Sequence, residues 1–94
     1  MIKVLLERRA KKDKYDHLME LLQDLRAVAL HQAGYIAGET LVKADNPLDV
    51  LVISTWVSAE HWKTWLSNQN RLELTALIDS LVDGDTKITV YAPP

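Results

Sequence analysis

The sequence predicts an α+β fold of the ferredoxin-like type, with elements in the order strand, helix, strand, strand, helix pair, strand. Four short runs rich in apolar and β-branched residues support this order, at positions 2–9, 35–42, 50–56 and 86–91. The segments after the first and third runs carry apolar residues at helical spacing. The 94 residues contain no repeat, linker or low-complexity segment, so we expect one domain over residues 1–94.

The first strand ends in a basic run and leads into an amphipathic helix. Asp13 follows this run and is placed to cap the helix, because its carboxylate can accept hydrogen bonds from free backbone N–H groups. Gly34 should end the helical region, since glycine readily adopts positive φ at helix ends. One helix face should pack on the sheet, with apolar side chains at Leu18, Leu21, Leu22, Leu25, Val28 and Ala29.

The second and third strands should form an antiparallel hairpin that leads into a strand-to-helix corner. Residues 44–49 contain Asp-Asn-Pro, which suits the turn. Trp56 closes the third strand, and Ser58 supplies an oxygen that can cap the next helix. Residues 68–70 interrupt the helical pattern, and a further helical stretch ends near Asp83-Gly84-Asp85, before the last strand. These segments complete a four-stranded sheet with a helical layer.

Two strands are apolar at consecutive positions rather than at alternate ones, at residues 4–6 and 50–53. Such strands are typical of a sheet that is covered on both faces. The predicted helices are too few to cover two faces. We therefore expect a homodimer in which a second copy of the chain covers the other face.

Charge and composition exclude several classes of function. The net charge of −2 and the pI of about 5.8 indicate no general attraction to nucleic acid, and the one basic cluster, residues 8–14, lacks interleaved aromatic residues. No cysteine is present, and the three histidines show no metal-binding spacing. The longest apolar run is too short to cross a membrane, and no signal peptide is recognisable. We expect a cytoplasmic protein without nucleic-acid or membrane partners.

All three tryptophans of this phenylalanine-free chain lie within residues 56–65. Trp62 and Trp65 are three residues apart on the predicted second helix, so they share a face that looks back onto the sheet. Three indole rings can build much of a small core, which is one interpretation of the cluster. The other is that the rings form the wall of a pocket, with Trp65 as the best candidate.

The pattern Trp-x-Ser-x-x-x-Trp-x-x-Trp at residues 56–65, with Gly-Tyr at residues 34–35, resembles the antibiotic biosynthesis monooxygenase (ABM) family. The likeness covers nearly the whole chain. It implies a dimeric α+β barrel in which each protomer has a pocket between sheet and helices. It also implies oxygen chemistry on small electron-rich aromatic molecules without a metal, flavin or other cofactor.

A second branch of the same fold degrades haem, and this sequence departs from its pattern. That branch has an Asn near the end of the first strand, where this chain has Glu7-Arg8. It has a His ten residues after the tryptophan at Trp65, where this chain has Thr75. Only the tryptophan matches, so haem degradation is disfavoured and no cofactor is expected.

Three residues are candidates for the reaction itself: Trp65, Asn68 and Asn70. Trp65 would form the wall against which the substrate packs. The amides of Asn68 and Asn70 follow closely in the chain and could hold a substrate oxygen or bound O₂. The alternative roles are a core indole for Trp65 and loop formation between two helices for the asparagines.

Four residues are candidates for substrate binding: Arg8, Tyr35, His61 and Trp62. Arg8 shares strand parity with the apolar residues of the first strand, so it should point to the helix-covered side and could pair with a phenolate or carboxylate. His61 could act as a general base near neutral pH, and Tyr35 could present a hydroxyl. The alternatives are a rim arginine, an exposed first-turn histidine, a half-buried tyrosine and a core tryptophan.

Together these features predict a cofactor-independent monooxygenase that oxidises a small aromatic or phenolic compound. The substrate anion would itself reduce O₂ inside the aromatic pocket. The alternative is a non-catalytic dimeric module that binds small molecules or acts in a stress response. The two hypotheses differ in whether O₂ is consumed.

Overall fold

The computed structural model describes all residues 1–94 and contains four strands and three helices. Their bounds are β1 Ile2–Ala10, α1 Tyr15–Ala29, β2 Tyr35–Lys43, β3 Asn46–Trp56, α2 Ala59–Leu66, α3 Gln69–Asp79 and β4 Val82–Tyr91. The strands form one antiparallel sheet in the order β2-β3-β1-β4. The predicted ferredoxin-like βαββαβ fold, with a helix pair in the second crossover, is confirmed.

Three local predictions are wrong. The last helical stretch does not reach residues 83–85, because α3 ends at Asp79 and β4 already begins at Val82. Asp13 does not cap α1, because a turn over residues 11–14 places Lys14 at the cap position, and Lys14 makes no side-chain capping bond. The hairpin turn is also shorter than residues 44–49, since Lys43 already pairs with Asn46. Pro47 fits within β3 because it precedes the segment that pairs with β1, where a missing N–H would leave a gap in the ladder.

The sheet presents one face to the helices, and this face holds the core. Alternate residues of β1 are buried there, beginning with Ile2 and continuing through Val4 and Leu6 to Arg8. Two apolar clusters fill the space beneath the helices. One is centred on Leu18 and Ile78, and the other on Val4 and Trp56, all four of them at 0% exposure. The functional candidates gather around the second cluster.

The opposite sheet face, here called the open face, is not covered by any helix. Leu5 of β1 pairs with Ile53 of β3, and Leu51 of β3 pairs with Leu41 of β2, so these apolar side chains share that face. Leu41 is 47% exposed, and Leu5, Leu51 and Ile53 are only half-buried. The consecutive apolar residues of β1 and β3 therefore do place apolar surface on both sides of the sheet.

A close backbone contact holds the start of β2 against the start of α2. Gly34 adopts φ +84, and a Cβ at this position would lie 2.2 Å from Cγ of His61. The carbonyl of Gly34 accepts a hydrogen bond from the N–H of Val57 at 2.8 Å. Glycine is required here both by φ and by space, and the contact sets the corner that carries the tryptophans.

None of the three helices combines the length and apolarity needed to cross a lipid bilayer.

Candidate functional site

A cavity of about 50 Å³ lies between the helix-covered face of the sheet and the helices. Fifteen residues line it, and nine of them are hydrophobic. They come from α1, α2 and α3 and from strands β1, β2 and β3. A space of this size holds a few water molecules, so a ring-sized ligand must displace side chains as it enters.

The three tryptophans form a continuous aromatic wall on one side of this cavity. Trp56 is at the centre at 0% exposure, with its ring centroid 6.0 Å from that of Trp62 and 6.0 Å from that of Trp65. Trp56 Nε1 donates a hydrogen bond to Ser54 Oγ at 3.1 Å, which satisfies the buried indole N–H. Tyr35 packs edge-on against Trp56 at 5.2 Å. The indole rings therefore belong to the hydrophobic core and also form the wall of the cavity.

The local sequence explains why α2 presents its tryptophans inward. Ser58 is the N-cap residue of α2, and its Oγ accepts a hydrogen bond from the N–H of His61 at 3.3 Å. This cap fixes where the helix begins, directly after the buried Trp56 at the end of β3. Trp62 and Trp65 then lie one turn apart on the face that meets the sheet, and each is 5% exposed.

Arg8 lies on the cavity wall at only 6% exposure. Its Nε donates a hydrogen bond to Thr86 Oγ1 at 3.2 Å, and it forms no ion pair. Burial lowers the pKa of Arg8 to about 10, and the nearby Arg71 charge acts in the same direction, while Asp79 opposes both. The site therefore holds a desolvated cation that has no ion-pair partner.

Arg71, near the start of α3, is a second buried arginine on the cavity wall, at 8% exposure. Its guanidinium carbon lies 5.7 Å from the ring centroid of Trp62, and its Nη1 donates to the carbonyl of Leu66 at 3.4 Å. Burial lowers the pKa of Arg71 as well. The cation–π contact holds Arg71 against the aromatic wall.

A third arginine and a tyrosine meet over Gly38 in β2. Arg26 donates a hydrogen bond from Nη2 to Thr40 Oγ1, and all four residues line the cavity. A Cβ at Gly38 would lie 2.3 Å from the Tyr35 hydroxyl and 3.6 Å from Arg26 Nε, so the missing side chain makes room for both. Desolvation raises the pKa of Tyr35, and the Arg26 charge opposes this shift.

Four of the seven candidate residues come together at the cavity: Arg8, Tyr35, Trp62 and Trp65. The other three lie outside its lining. His61 places Nδ1 2.7 Å from Ser58 Oγ and packs on Gly34.

The two asparagines have different surroundings. Asn68 is the N-cap residue of α3; its Oδ1 accepts from the N–H of Arg71 at 3.0 Å, and its Nδ2 donates to Gln32 Oε1 at 3.3 Å. Asn70 is exposed on the first turn of α3.

Arg26 and Arg71 were missed in the sequence, although helical spacing carries a signal for each. Arg26 follows the buried Leu22 by four residues, which places it on the inner face of α1. Arg71 precedes the buried Ile78 by seven residues, which is two turns of α3. The many leucines of α3 obscured that phase, because Leu72 and Leu77 turn out to be exposed.

The cavity lining contains no His, Asp or Glu side chain. Elsewhere in the protein, no group of three or more His, Asp or Glu side chains is arranged to hold a metal ion. The ionisable groups at the cavity are three guanidiniums and one phenol. This set can bind and stabilise an anion, and it offers no carboxylate or imidazole as a proton acceptor.

Comparison with solved structures supports the fold assignment. A conserved protein from Methanosarcina mazei superposes with a TM-score of 0.91 at 21% identity, over 96% of this chain and 89% of that one. SnoaB, a cofactor-independent oxygenase from Streptomyces nogalater, superposes with a TM-score of 0.86 at 12% identity, over 99% of this chain and 93% of that one.

An antibiotic biosynthesis monooxygenase gives a TM-score of 0.91 at 17% identity, over 100% of this chain and 99% of that one. No curated protein matches the sequence. The sequence model of the family described as antibiotic biosynthesis monooxygenase matches residues 1–75, which is most of the chain and includes the whole tryptophan segment. The chain therefore belongs to the antibiotic biosynthesis monooxygenase family.

Proposed function

We propose that this protein is a cofactor-independent monooxygenase that oxidises a small aromatic or phenolic compound in the cavity between sheet and helices. The observation that carries the proposal is the pairing of a tryptophan wall with the buried, unpaired cation of Arg8. An indole wall favours a flat aromatic ring, and a desolvated guanidinium favours an anion. Family membership and the likeness to a cofactor-independent oxygenase support the same reaction class.

The proposed reaction uses the electrons of the substrate itself. A substrate with an acidic CH₂ next to aromatic rings loses a proton, and its anion transfers one electron to O₂. The two radicals combine to a peroxide, which loses water to leave a carbonyl group. One oxygen atom enters the substrate and the other leaves as water, so R₂CH₂ and O₂ give R₂C=O and H₂O without an external reductant.

In this proposal the residues bind and desolvate rather than exchange protons. Trp65, with Trp62, packs against the ring, and Arg8 supplies the positive charge that binds an anionic substrate. Tyr35 and Arg26 are half-buried and move aside to enlarge the cavity for a ring-sized ligand. Asn68 acts through Arg71, whose backbone N–H it caps. We assign Asn70 and His61 no direct contact with the substrate, since both lie outside the cavity lining.

We further propose that a second copy of the chain covers the open face to form a homodimer. Sheets that pack face to face lie about 10 Å apart and interleave apolar side chains. Leu5, Leu41, Leu51 and Ile53 supply such a surface. The dimer leaves the cavity on the other side of each sheet accessible from the helical layer.

One observation favours the alternative, a non-catalytic module that binds small aromatic molecules. The cavity lining lacks any carboxylate or imidazole that could remove a proton from the substrate. Under the monooxygenase proposal the substrate must therefore ionise mainly through its own acidity, helped by the guanidiniums. The pH dependence of turnover then distinguishes a protein that uses substrate ionisation from one that uses a protein base.

The test is dissolved-oxygen uptake by the purified protein with a panel of anthrones, naphthols and hydroquinones, recorded together with tryptophan emission. Catalytic uptake supports the monooxygenase. Its rising pH limb should shift from one substrate to the next with the acidity of each substrate. Quenching of emission without uptake favours the binding module, and a pH limb that stays fixed across substrates contradicts catalysis without a protein base.

A further inference from the structure

The three arginines of the cavity have no anionic partner, although Arg8 and Arg71 are buried. Every ion pair in the structure lies at the surface and uses Arg9, Lys43 or Lys87. Arg8, Arg26 and Arg71 form none. A buried charge normally has a partner, because desolvation disfavours it by several kcal/mol unless a counter-charge offsets the loss. Two nearly buried guanidiniums at one small cavity therefore require an explanation.

The internal contacts of Arg8 and Arg71 do not provide that explanation. Arg8 donates only from Nε to a hydroxyl, and Arg71 only from Nη1 to a carbonyl. A guanidinium has five N–H donors, so most of this hydrogen-bonding capacity is unused within the protein. Asp79 opposes the pKa shifts of both arginines, yet it is exposed and within ion-pairing distance of neither. The unused donors are available to a ligand.

The polar groups also define two ends of the cavity. Arg8 pairs across the sheet with Val50, and Gly38 pairs with Ser54. These two rows are four residues apart along β3, which is about 13 Å at about 3.3 Å per residue. Arg8 lies at one end, with the Arg71 charge close enough to affect it, and Arg26 and Tyr35 meet over Gly38 towards the other. Ring contacts run from Tyr35 through Trp56 and Trp62 to Arg71, so a ligand in this cavity has its aromatic part against these rings and its anionic group at the Arg8 end.

We propose that the ligand is an aromatic carboxylate whose carboxylate is bound jointly by Arg8 and Arg71. This inference rests on the proposed site and adds the substrate class to it. Arginine matches a carboxylate with two parallel hydrogen bonds, and two arginines can use all the lone pairs of its oxygens. The carboxylate also offsets the repulsion between the two guanidiniums, so binding is coupled to relief of an unfavourable buried charge. The reacting position then lies farther along, towards Tyr35 and Arg26.

The test uses a matched pair of probes, naphthoate and naphthamide, which have the same ring and nearly the same shape but differ in charge. Binding is followed by quenching of tryptophan emission under conditions without turnover. Naphthoate should bind the wild-type protein at least about tenfold more tightly than naphthamide, because its hydrogen bonds to the guanidiniums are charge-assisted. Arg8→Met and Arg71→Met should each remove most of this preference while retaining naphthamide binding.

Arg9→Met is the matched control, because it removes the same charge from the adjacent residue on the open face. It should leave the preference for naphthoate unchanged. Equal binding of the two probes to the wild-type protein would overturn the proposal, as would a preference that persists in both cavity variants. Should a cavity variant fail to fold, the wild-type comparison of acid and amide still decides the question.

The thermal midpoint (Tm) of the ligand-free variants is a second measurement, and it distinguishes a ligand-binding arginine from a structural one. Arg8→Met should keep or raise the Tm, since methionine fills the space without a desolvated charge. A lower Tm together with an unchanged preference for naphthoate would make Arg8 a structural residue. A preference for the acid without any oxygen uptake would support this inference and contradict the monooxygenase proposal. Oxygen uptake with neutral substrates and no preference for the acid would support the monooxygenase proposal and contradict this inference.

Discussion

Arg8 and Arg9 are neighbours in β1, and they show how differently the two faces of the sheet treat a charge. Arg9, on the open face, donates two hydrogen bonds to the carboxylate of Asp49, both at 2.7 Å, in solvent. Arg8, on the helix-covered face, is desolvated and has no carboxylate partner. The exposed Arg9 has an ion-pair partner although water already solvates its charge. The buried Arg8 has none, although only an ion pair could offset its desolvation. This imbalance is the reason for our proposal that the cavity is a binding site rather than ordinary core.

The largest expected effect concerns the helix-covered face, which holds the core. Trp56→Ala should lower the free energy of unfolding by about 3–5 kcal/mol, because it leaves a void at the centre of the aromatic wall. Trp56 is at 0% exposure and contacts Tyr35, Trp62 and Trp65. Urea unfolding measures the change. A loss below about 1 kcal/mol would mean that the wall is not part of the core.

The next prediction concerns the open face. Leu51→Lys should convert the proposed homodimer into a monomer, since it places a charge among the apolar side chains of that face. Size-exclusion chromatography with light scattering measures the mass, and circular dichroism checks the fold. Leu72→Lys is the control, because Leu72 is 45% exposed on α3, away from the open face. A Leu51→Lys variant that remained dimeric would place the interface elsewhere.

Within the cavity, Trp65→Phe should reduce oxygen uptake per enzyme by about fivefold, as the smaller ring weakens packing against the substrate by about 1 kcal/mol. The fold should be unaffected by this aromatic replacement. Asn70→Ala is the control and should retain full turnover, because Asn70 is exposed and outside the cavity lining. Unchanged turnover in Trp65→Phe would argue that the indole serves only as core.

The smallest expected effect concerns the surface pair. The hydrogen bond from Arg9 holds the pKa of Asp49 below its usual value of 3.8. Asp49 therefore binds protons less readily in the folded state, and its contribution is present above that value and lost as pH falls further. The loss of Tm between pH 7 and pH 3 should be slightly smaller in Asp49→Asn than in the wild type. An equal loss would show that the exposed pair contributes nothing.

Sequence periodicity predicted the strands and part of the cavity lining, for a clear physical reason. Strand side chains alternate strictly between faces, so the inward direction of Arg8 followed from Ile2, Val4 and Leu6 without knowledge of the fold. The Trp-x-Ser corner was equally local, because a serine cap sets the start of α2. The tryptophan wall followed from these two facts.

The remaining parts of the site depend on helix phase and packing, which the sequence does not determine as directly. Asn68 caps α3 and thereby fixes its start, and a shift of one residue would turn Arg71 by about 100° away from the cavity. The approach of Arg26 to Tyr35 depends on how α1 crosses the sheet. The asparagines were predicted as polar anchors because their order along the chain suggested closeness, but capping directs Asn68 to the backbone and leaves Asn70 exposed.

Gly38 offers a way to change the dimensions of the site from its rim. Because the Tyr35 hydroxyl occupies the space of the missing side chain, any larger residue at position 38 would push the phenol towards the cavity or out to solvent. The tryptophan wall and the buried arginines would stay as they are. One position on an edge strand can therefore change the dimensions of the cavity independently of the buried Arg8 and Arg71.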